Sequence, residues 1–586
     1  MRIPFFTAIV PVGLAAVLVM PAAFAQADAA VPPMATFDAS VSVDLVTVEV
    51  VAVDDRGRPV LDLGREDFRL FEDGRPVEIT HFEQPSLVAT STSVAAAPGS
   101  RGRDATAAPD SPAHVVVFVD NLHIGVVHRE VLFESLAKVL DASLRPHDEV
   151  MVVSYDGGVS IELPFSSSRH ELTAALDRQR VTEARYMVAA LEQQRTLERI
   201  QRTAEVEAGS AKNPGVACLS VGSFAWEAAQ DSRGEVLQTI DSMRQFIGTL
   251  AGIPGRKTLI HVSDGIPLTP GAALVQYAID FCDGTAAQEG ISHTTDTSVV
   301  PNEVNDRWNP AFSRVEILSL DTSKEWYRLT AQANAHRVTF YPLQTSGVTG
   351  FASSIAGQVR TTHHTEMLAR QDPRDSLVLM AEETGGRAIL NANDFAPALT
   401  RAIEDGRHAY VLGFAPAGGQ EERRHQLRVE ATRASTRLRY PKSYYRESPH
   451  RQMADAVVSS LLHGVESNPL ELRISLVDTG EGESPNSLRV VVPLDKPALL
   501  PVSEQAEGLL TFFVAVRRED GSTSEVRQST IPLRVASGAA AAGRSFVYDL
   551  GMRLPPGTHR VAVGVYDEIG GGLSYLRRDV VVKAGV

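Results

Sequence analysis

Two aspartates sit where apolar strands end. HVVVFVDNLHI (114–124) is an almost unbroken apolar run that delivers Asp120 to its carboxyl end, and KTLIHVSDG (257–265) does the same for Asp264. Strands of this composition are buried on both faces, and open α/β sheets bind ligands beyond the carboxyl ends of such strands. Two carboxylates on that rim are oxygen donors for a hard divalent cation, Mg²⁺ above all, which favours octahedral oxygen ligation and retains several waters. Asn121 and His123 stand beside Asp120 as further rim contacts. A metal-free reading competes and is the expectation: Asp120 accepts backbone N–H bonds at a strand-to-helix turn, and Asp264 opens an Asp-Gly turn. Leu122 and Ile124, in the same loop, carry no atom that coordinates a hard cation.

Other chemistry is thinly represented. The stretch Gly252-Ile-Pro-Gly-Arg-Lys-Thr258 lacks the Gly-Lys pair of a phosphate loop, and it joins a helix to a strand where a phosphate cradle joins a strand to a helix. His363-His364 falls in a segment read as loop, without a spaced third ligand. Neither a Gly-x-Ser-x-Gly elbow, a His-Glu-x-x-His helix nor a catalytic-cysteine signature is present, so the expectation is a protein that is not an enzyme. Cys218 and Cys282 are the two cysteines; they either pair as a disulfide in an oxidising compartment or stay as separate buried thiols.

The elements that position the aspartates alternate between strand and helix, the signature of a doubly wound, mostly parallel sheet covered on both faces. Leu132, Leu136, Val139 and Leu140 share a helical stripe after the first strand, and Val236, Ile240, Met243, Ile247 and Leu250 share another over about 235–251. Strands follow at EVMVVSYDG, VSIELPF, VTFYPLQ and AYVLGFA. Two insertions interrupt this α/β region (114–446): a polar helical one at 179–229 and an irregular, turn-rich one at 266–320. Ahead of it, 36–85 alternates apolar and polar residues around Asp-Arg-Gly and Glu-Asp-Gly turns, a small N-terminal β unit, and 86–113 is a Ser/Ala/Pro/Gly-rich linker. After it come a connecting helix within 447–466 and, over 467–586, seven short alternating runs spaced as in an immunoglobulin- or fibronectin-like β-sandwich.

Residues 1–25 read as a signal peptide: Arg2, an apolar run from Ile9 to Met20, then Ala23-Phe24-Ala25. The expected location is periplasmic or secreted, with no transmembrane anchor once the signal is removed. In the 586-residue chain, 56 Lys and Arg against 72 Asp and Glu give a net charge of −16, which disfavours nucleic acid as a partner because phosphate neutralisation supplies most non-specific affinity.

Two runs carry a family resemblance. GREDFRLFEDGRPVEITHFEQ (64–84) and MAEETGGRAILNANDFAPALTRAIEDGRHAYVLGFAP (380–416), with Asp120 and Asp264 at the ends of their strands, resemble the bacterial, acidobacterial-type VWFA-related proteins, whose core is a von Willebrand factor type A-like domain. The resemblance covers most of 40–445 and says least about the last domain. It implies an exported protein without an assigned reaction. Metal-binding type A domains place Asp-x-Ser-x-Ser after the first strand; here Leu122 and Ile124 replace both serines, a degenerate version of that site. The reading that follows is a non-enzymatic protein-binding or scaffolding protein that uses the carboxyl rim of the type A-like domain, its partner a protein. A metal-dependent binding protein with an altered site and an unrecognised extracytoplasmic hydrolase remain as alternatives.

Overall fold

The computed structural model describes residues 45–85, 112–124, 129–181, parts of 195–206, 214–288, 314–345, 363–391, 394–416, 422–478, 486–502, 505–536 and 543–582. The residues read as a signal peptide (1–25) and nearly all of those read as a linker (86–113) lie outside the described residues, as do the side chains of Cys218 and Cys282. The architecture is mixed α/β, with a mixed, mostly parallel sheet among several. Elements are numbered in chain order.

That sheet runs β7-β6-β5-β8-β9. β5 (His114–Asp120), β6 (Glu149–Tyr155), β8 (Lys257–Val262) and β9 (Val338–Leu343) are parallel, and β7 (Val159–Ser166) is an antiparallel edge strand. Alternate side chains of a strand point to opposite faces, so one run of valines feeds two cores. Val115, Val117 and Val119 pack under α1 (Arg129–Ser143), α2 (Arg169–Val181) and α8 (Ala396–Arg407), where they meet Leu132, Leu136, Leu176 and Leu399. Val116 and Phe118 pack on the other face under α3 (Pro214–Thr249), α6 (Ser323–Ala335) and α7 (His363–Glu383), against Ile240, Phe246, Trp326 and Met380.

The connections fix the rim. From β5 the chain moves outward to β6 and β7, then returns through α3 to β8 on the opposite side of β5. Connections from β5 and β8 therefore run to opposite sides of the sheet, the arrangement of a topological switch point.

Below this layer, β1 (Val46–Val53) pairs antiparallel with β10 (Ala409–Phe414), with Val46 opposite Phe414, and β4 (His81–Glu83) takes the other edge of β10. A second sheet joins β2 (Phe68–Glu72) and β3 (Arg75–Val77) to β11 (Arg423–Ala431) and β13 (Ser443–Arg446). The strand AYVLGFA thus belongs to the N-terminal β strands and not, as its pattern suggested, to the parallel sheet. An apolar run reports burial; it does not say which sheet supplies the burial.

Three further expectations are corrected. The helix read from about 235 begins at Pro214, because Val221 and Ala225 pack on Leu274 and Ala278 of α4 (Ala272–Gln288), a contact with no local signature. The stretch read as irregular over 266–320 contains α4 and α5 (Arg314–Ser319). His363 and His364 open α7 where a loop was expected.

The last helix, α9 (Pro449–His463), starts at Ser448, whose hydroxyl accepts the Arg451 N–H, and stops at Gly464 in the left-handed conformation (φ 77°). Met453, Val457 and Leu461 set it on Phe513, Ala515 and Ala562 of the C-terminal strands. Those strands form two facing sheets. One is β14 (Arg473–Asp478), β15 (Asn486–Pro493) and β19 (Ser545–Met552). The other is β16 (Leu500–Val502), β17 (Gln505–Arg517), β20 (Gly557–Asp567) and β21 (Leu573–Val582), with β18 (Arg527–Ala536) on β17. Leu488 and Val490 interleave with Phe512, Val563 and Val565 between them.

Candidate functional site

The loops after β5 and β8 interlock through their backbones with each other and with the ends of β6 and β9 before any side chain is considered. Asp264 N–H donates to His123 O (2.7 Å), Asn121 N–H to Tyr155 O (2.8 Å) and Ser263 N–H to Leu343 O (3.1 Å), so the ends of β5, β6, β8 and β9 are tied together. Asp120 lies at the centre, fully buried.

His123 spans the Asp120 carboxylate, with Nδ1 2.9 Å from both oxygens. Ser263 Oγ donates to Oδ2 at 3.1 Å, and His261 Nε2 lies 3.7 Å from the same oxygen. Burial by itself would raise the Asp120 pKa; the charge and hydrogen bond of His123 outweigh it and hold the carboxyl well below its ordinary range. The reciprocal holds for His123. Burial would lower its pKa, and the Asp120 charge, aided by Glu235 and Asp264, raises it. Each group thus favours the charged form of the other, and the histidine side chain remains 25% exposed.

Asp264 faces a different partner. Its Oδ1 accepts the Thr345 N–H (2.9 Å) and hydroxyl (2.8 Å), which brings in the loop after β9. Gly265 follows at φ 105°, a conformation that leaves room only for glycine: an added Cβ would stand 2.1 Å from Pro373 O. Asn121 is buried and turns away from the rim's outer surface. Its Oδ1 accepts Arg129 Nη2 (2.6 Å) while its amide reaches Gln179 (3.3 Å), and Arg129 also donates twice to Gln179 O. Burial brings the Arg129 pKa down to about 10.

The structure therefore brings Asp120, His123 and Asp264 together on one rim and places Asn121 in a buried network beneath it. The described donors to Asp120 are side chains, where the sequence had suggested backbone N–H groups. Leu122 packs on one core of the sheet and Ile124, fully buried, on the other. Ser263, His261, Thr345 and Arg129 were missed. A signal for the first two existed: Phe118 is paired with His261 in the parallel register, so residues 118 and 120 share a face with 261 and 263. Tyr440 and Tyr444 are packed in the core between the two N-terminal sheets, with Tyr444 donating to Glu72.

No protein-family model and no curated protein matches this chain. Solved structures overlap it loosely. BatB, a conserved hypothetical protein of Bacteroides thetaiotaomicron, aligns at 10% identity over 50% of this chain and 98% of its own (TM-score 0.21). An aerotolerance-related membrane protein of Bacteroides fragilis aligns at 11% over 50% and 98% (TM-score 0.23). A von Willebrand factor type A protein of Catenulispora acidiphila aligns at 10% identity over 81% of this chain and 66% of its own, with a TM-score of 0.18.

Proposed function

We propose that this protein is an exported, non-enzymatic binding or scaffolding protein with a von Willebrand factor type A-like domain, which engages a protein partner through the rim around Asp120 and Asp264 without a divalent ion. The observation that carries this reading is His123, whose ring bridges both Asp120 oxygens at the point where a metal would take one of them. Once protonated, that ring supplies the positive charge an ion would bring. A hard divalent ion needs about six oxygen ligands, yet Asp120 is engaged by His123 and Ser263, and the two loop positions that would add hydroxyls are core hydrophobes. The donor set does not fit Mg²⁺.

The type A-like assignment is supported by the strand order β7-β6-β5-β8-β9, its antiparallel edge, and both aspartates beyond the carboxyl ends of adjacent central strands. Export is supported by the apolar leader of residues 1–25, and among the described residues no helix is long and apolar enough to cross a membrane. An interaction role also suits a rim whose loops are locked together, since pre-organised loops lose little entropy on binding.

Thermal unfolding with millimolar Mg²⁺, Ca²⁺ and Mn²⁺ tests the reading, because any ligand of the native state raises the melting temperature. The expected result is no shift that depends on Asp264. A shift abolished by Asp264→Asn would replace this reading with a metal-dependent one.

A further inference from the structure

A second cluster of titratable groups lies away from the rim. His336, Glu447 and Asp455 direct ligand atoms at one point, all within 4.8 Å of one another. They come from three elements: His336 is the C-terminal cap of α6, Glu447 follows β13, and Asp455 is on α9. The His336 side chain is 7% exposed, and its Nε2 faces the two carboxylates without a hydrogen-bond partner; Asp455 Oδ2 also lacks one.

The distances are informative. His336 Nε2 is 3.5 Å from Glu447 Oε1 and 3.7 Å from Asp455 Oδ2. A charge-assisted hydrogen bond closes to about 2.7–2.9 Å, as His123 and Asp120 do in this same chain at 2.9 Å. The cluster is too open for that. The two spans from His336 lie close to the edge of a coordination tetrahedron, since ligands about 2.1 Å from a Zn²⁺ stand roughly 3.4 Å apart. An octahedral ion of similar bond length would draw them to about 3.0 Å.

We infer that His336, Glu447 and Asp455 form a three-ligand site for a tetrahedral divalent transition ion of the zinc class, with a fourth position left to water. One nitrogen and two carboxylate oxygens suit Zn²⁺, and the ion's charge offsets two carboxylates held in a buried pocket. Asp455 is 19% exposed, which provides an entry side. The ion fastens the end of α6 to the helix that carries the C-terminal sheets. Its role is a clamp between the α/β layer and α9, independent of the rim around Asp120.

The full chain, stripped with a chelator, is titrated with Co²⁺ and with Zn²⁺. Expected are one equivalent of metal retained through desalting, the intense visible absorption of four-coordinate cobalt, displacement of that absorption by Zn²⁺, and a higher melting temperature with either ion. Glu447→Gln and Asp455→Asn, near-isosteric changes, lose the absorption and the metal; Asp264→Asn keeps both. The proposal is overturned if wild-type protein retains no metal and gives no four-coordinate cobalt spectrum, in which case the cluster is a protonated histidine between two carboxylates. It is equally overturned if both variants keep the metal. Because Asp264→Asn reports on the rim and Asp455→Asn on this cluster, a failure of one reading is distinguishable from a failure of the other.

Discussion

The histidine–aspartate pair at the rim makes a prediction with a definite pH signature. Asp120 has a folded pKa below its unfolded value near 3.9, so its contribution is present above that value and fades as pH falls through the folded one. His123 has a folded pKa above its unfolded value near 6.5, so its contribution is complete below 6.5 and fades as pH rises through the folded one. Both groups are therefore charged, and the pair is worth most, between roughly pH 4 and 6.5. His123→Leu leaves Asp120 buried with Ser263 as its hydrogen-bonding partner, and removing one member of a buried pair costs about 3 kcal/mol. Unfolding free energies from urea titrations of wild type and variant should differ by that amount near pH 5.5 and converge above the raised histidine pKa. A difference independent of pH would show that His123 acts through packing alone.

Among the elements, the turn that ends α7 shows why a glycine pair can have two separate reasons. Gly385, at φ 74°, closes the helix in the left-handed conformation, and a Cβ there would also stand 2.7 Å from the Tyr440 backbone. Gly386 serves close approach: a Cβ there would lie 1.9 Å from Phe340 O, a backbone atom of β9. Thr384 completes the junction, donating to Met380 O at 2.7 Å and accepting the Phe340 N–H at 3.0 Å. Gly386→Ala should therefore cost about 3 kcal/mol or more, since the strand must move. Gly57→Ala meets nothing within 4 Å and carries only the strain of φ 74°, about 1–2 kcal/mol. Chemical denaturation of the two variants should rank them in that order; equal losses would mean that β9 yields freely. Trp326→Ala, which empties a fully buried site under the sheet, is expected to cost about 3–5 kcal/mol in the same assay.

At the scale of the whole molecule, the N-terminal strands are completed by residues that follow the α/β layer. β1 and β4 flank β10, β2 pairs with β11, and Glu49 of β1 binds Arg337 (2.6 Å) and faces Arg256 (3.3 Å) from the α/β layer. Their pairing spans the chain from end to end of that layer, so a cut between them should not separate them. A protease site inserted near residue 100 tests this: after cleavage the piece containing β1 to β4 should co-elute with the remainder on gel filtration and leave only in denaturant. Release in native buffer would show that these contacts are too weak to hold the strands.

The sequence by itself determined the class and most of the elements, but not the helices within 266–320, the full length of α3 or the start of α7. Apolar runs such as 114–120 and 257–262 are long enough, and free enough of polar interruption, to specify strands buried on both faces, and the seven alternating runs after 467 coincide with seven of the eight strands there, the short β16 carrying no alternation of its own. It also placed Asp120 and Asp264 at strand ends, because a carboxylate after an apolar strand has no other local reading. Partners were decided by tertiary structure. Whether β10 joins the parallel sheet or β1, whether Asp120 meets backbone or His123, and whether His336 meets Glu447 and Asp455 all depend on contacts between residues far apart in the chain. Local periodicity encodes how much of a segment is buried, and long-range geometry alone encodes what it is buried against.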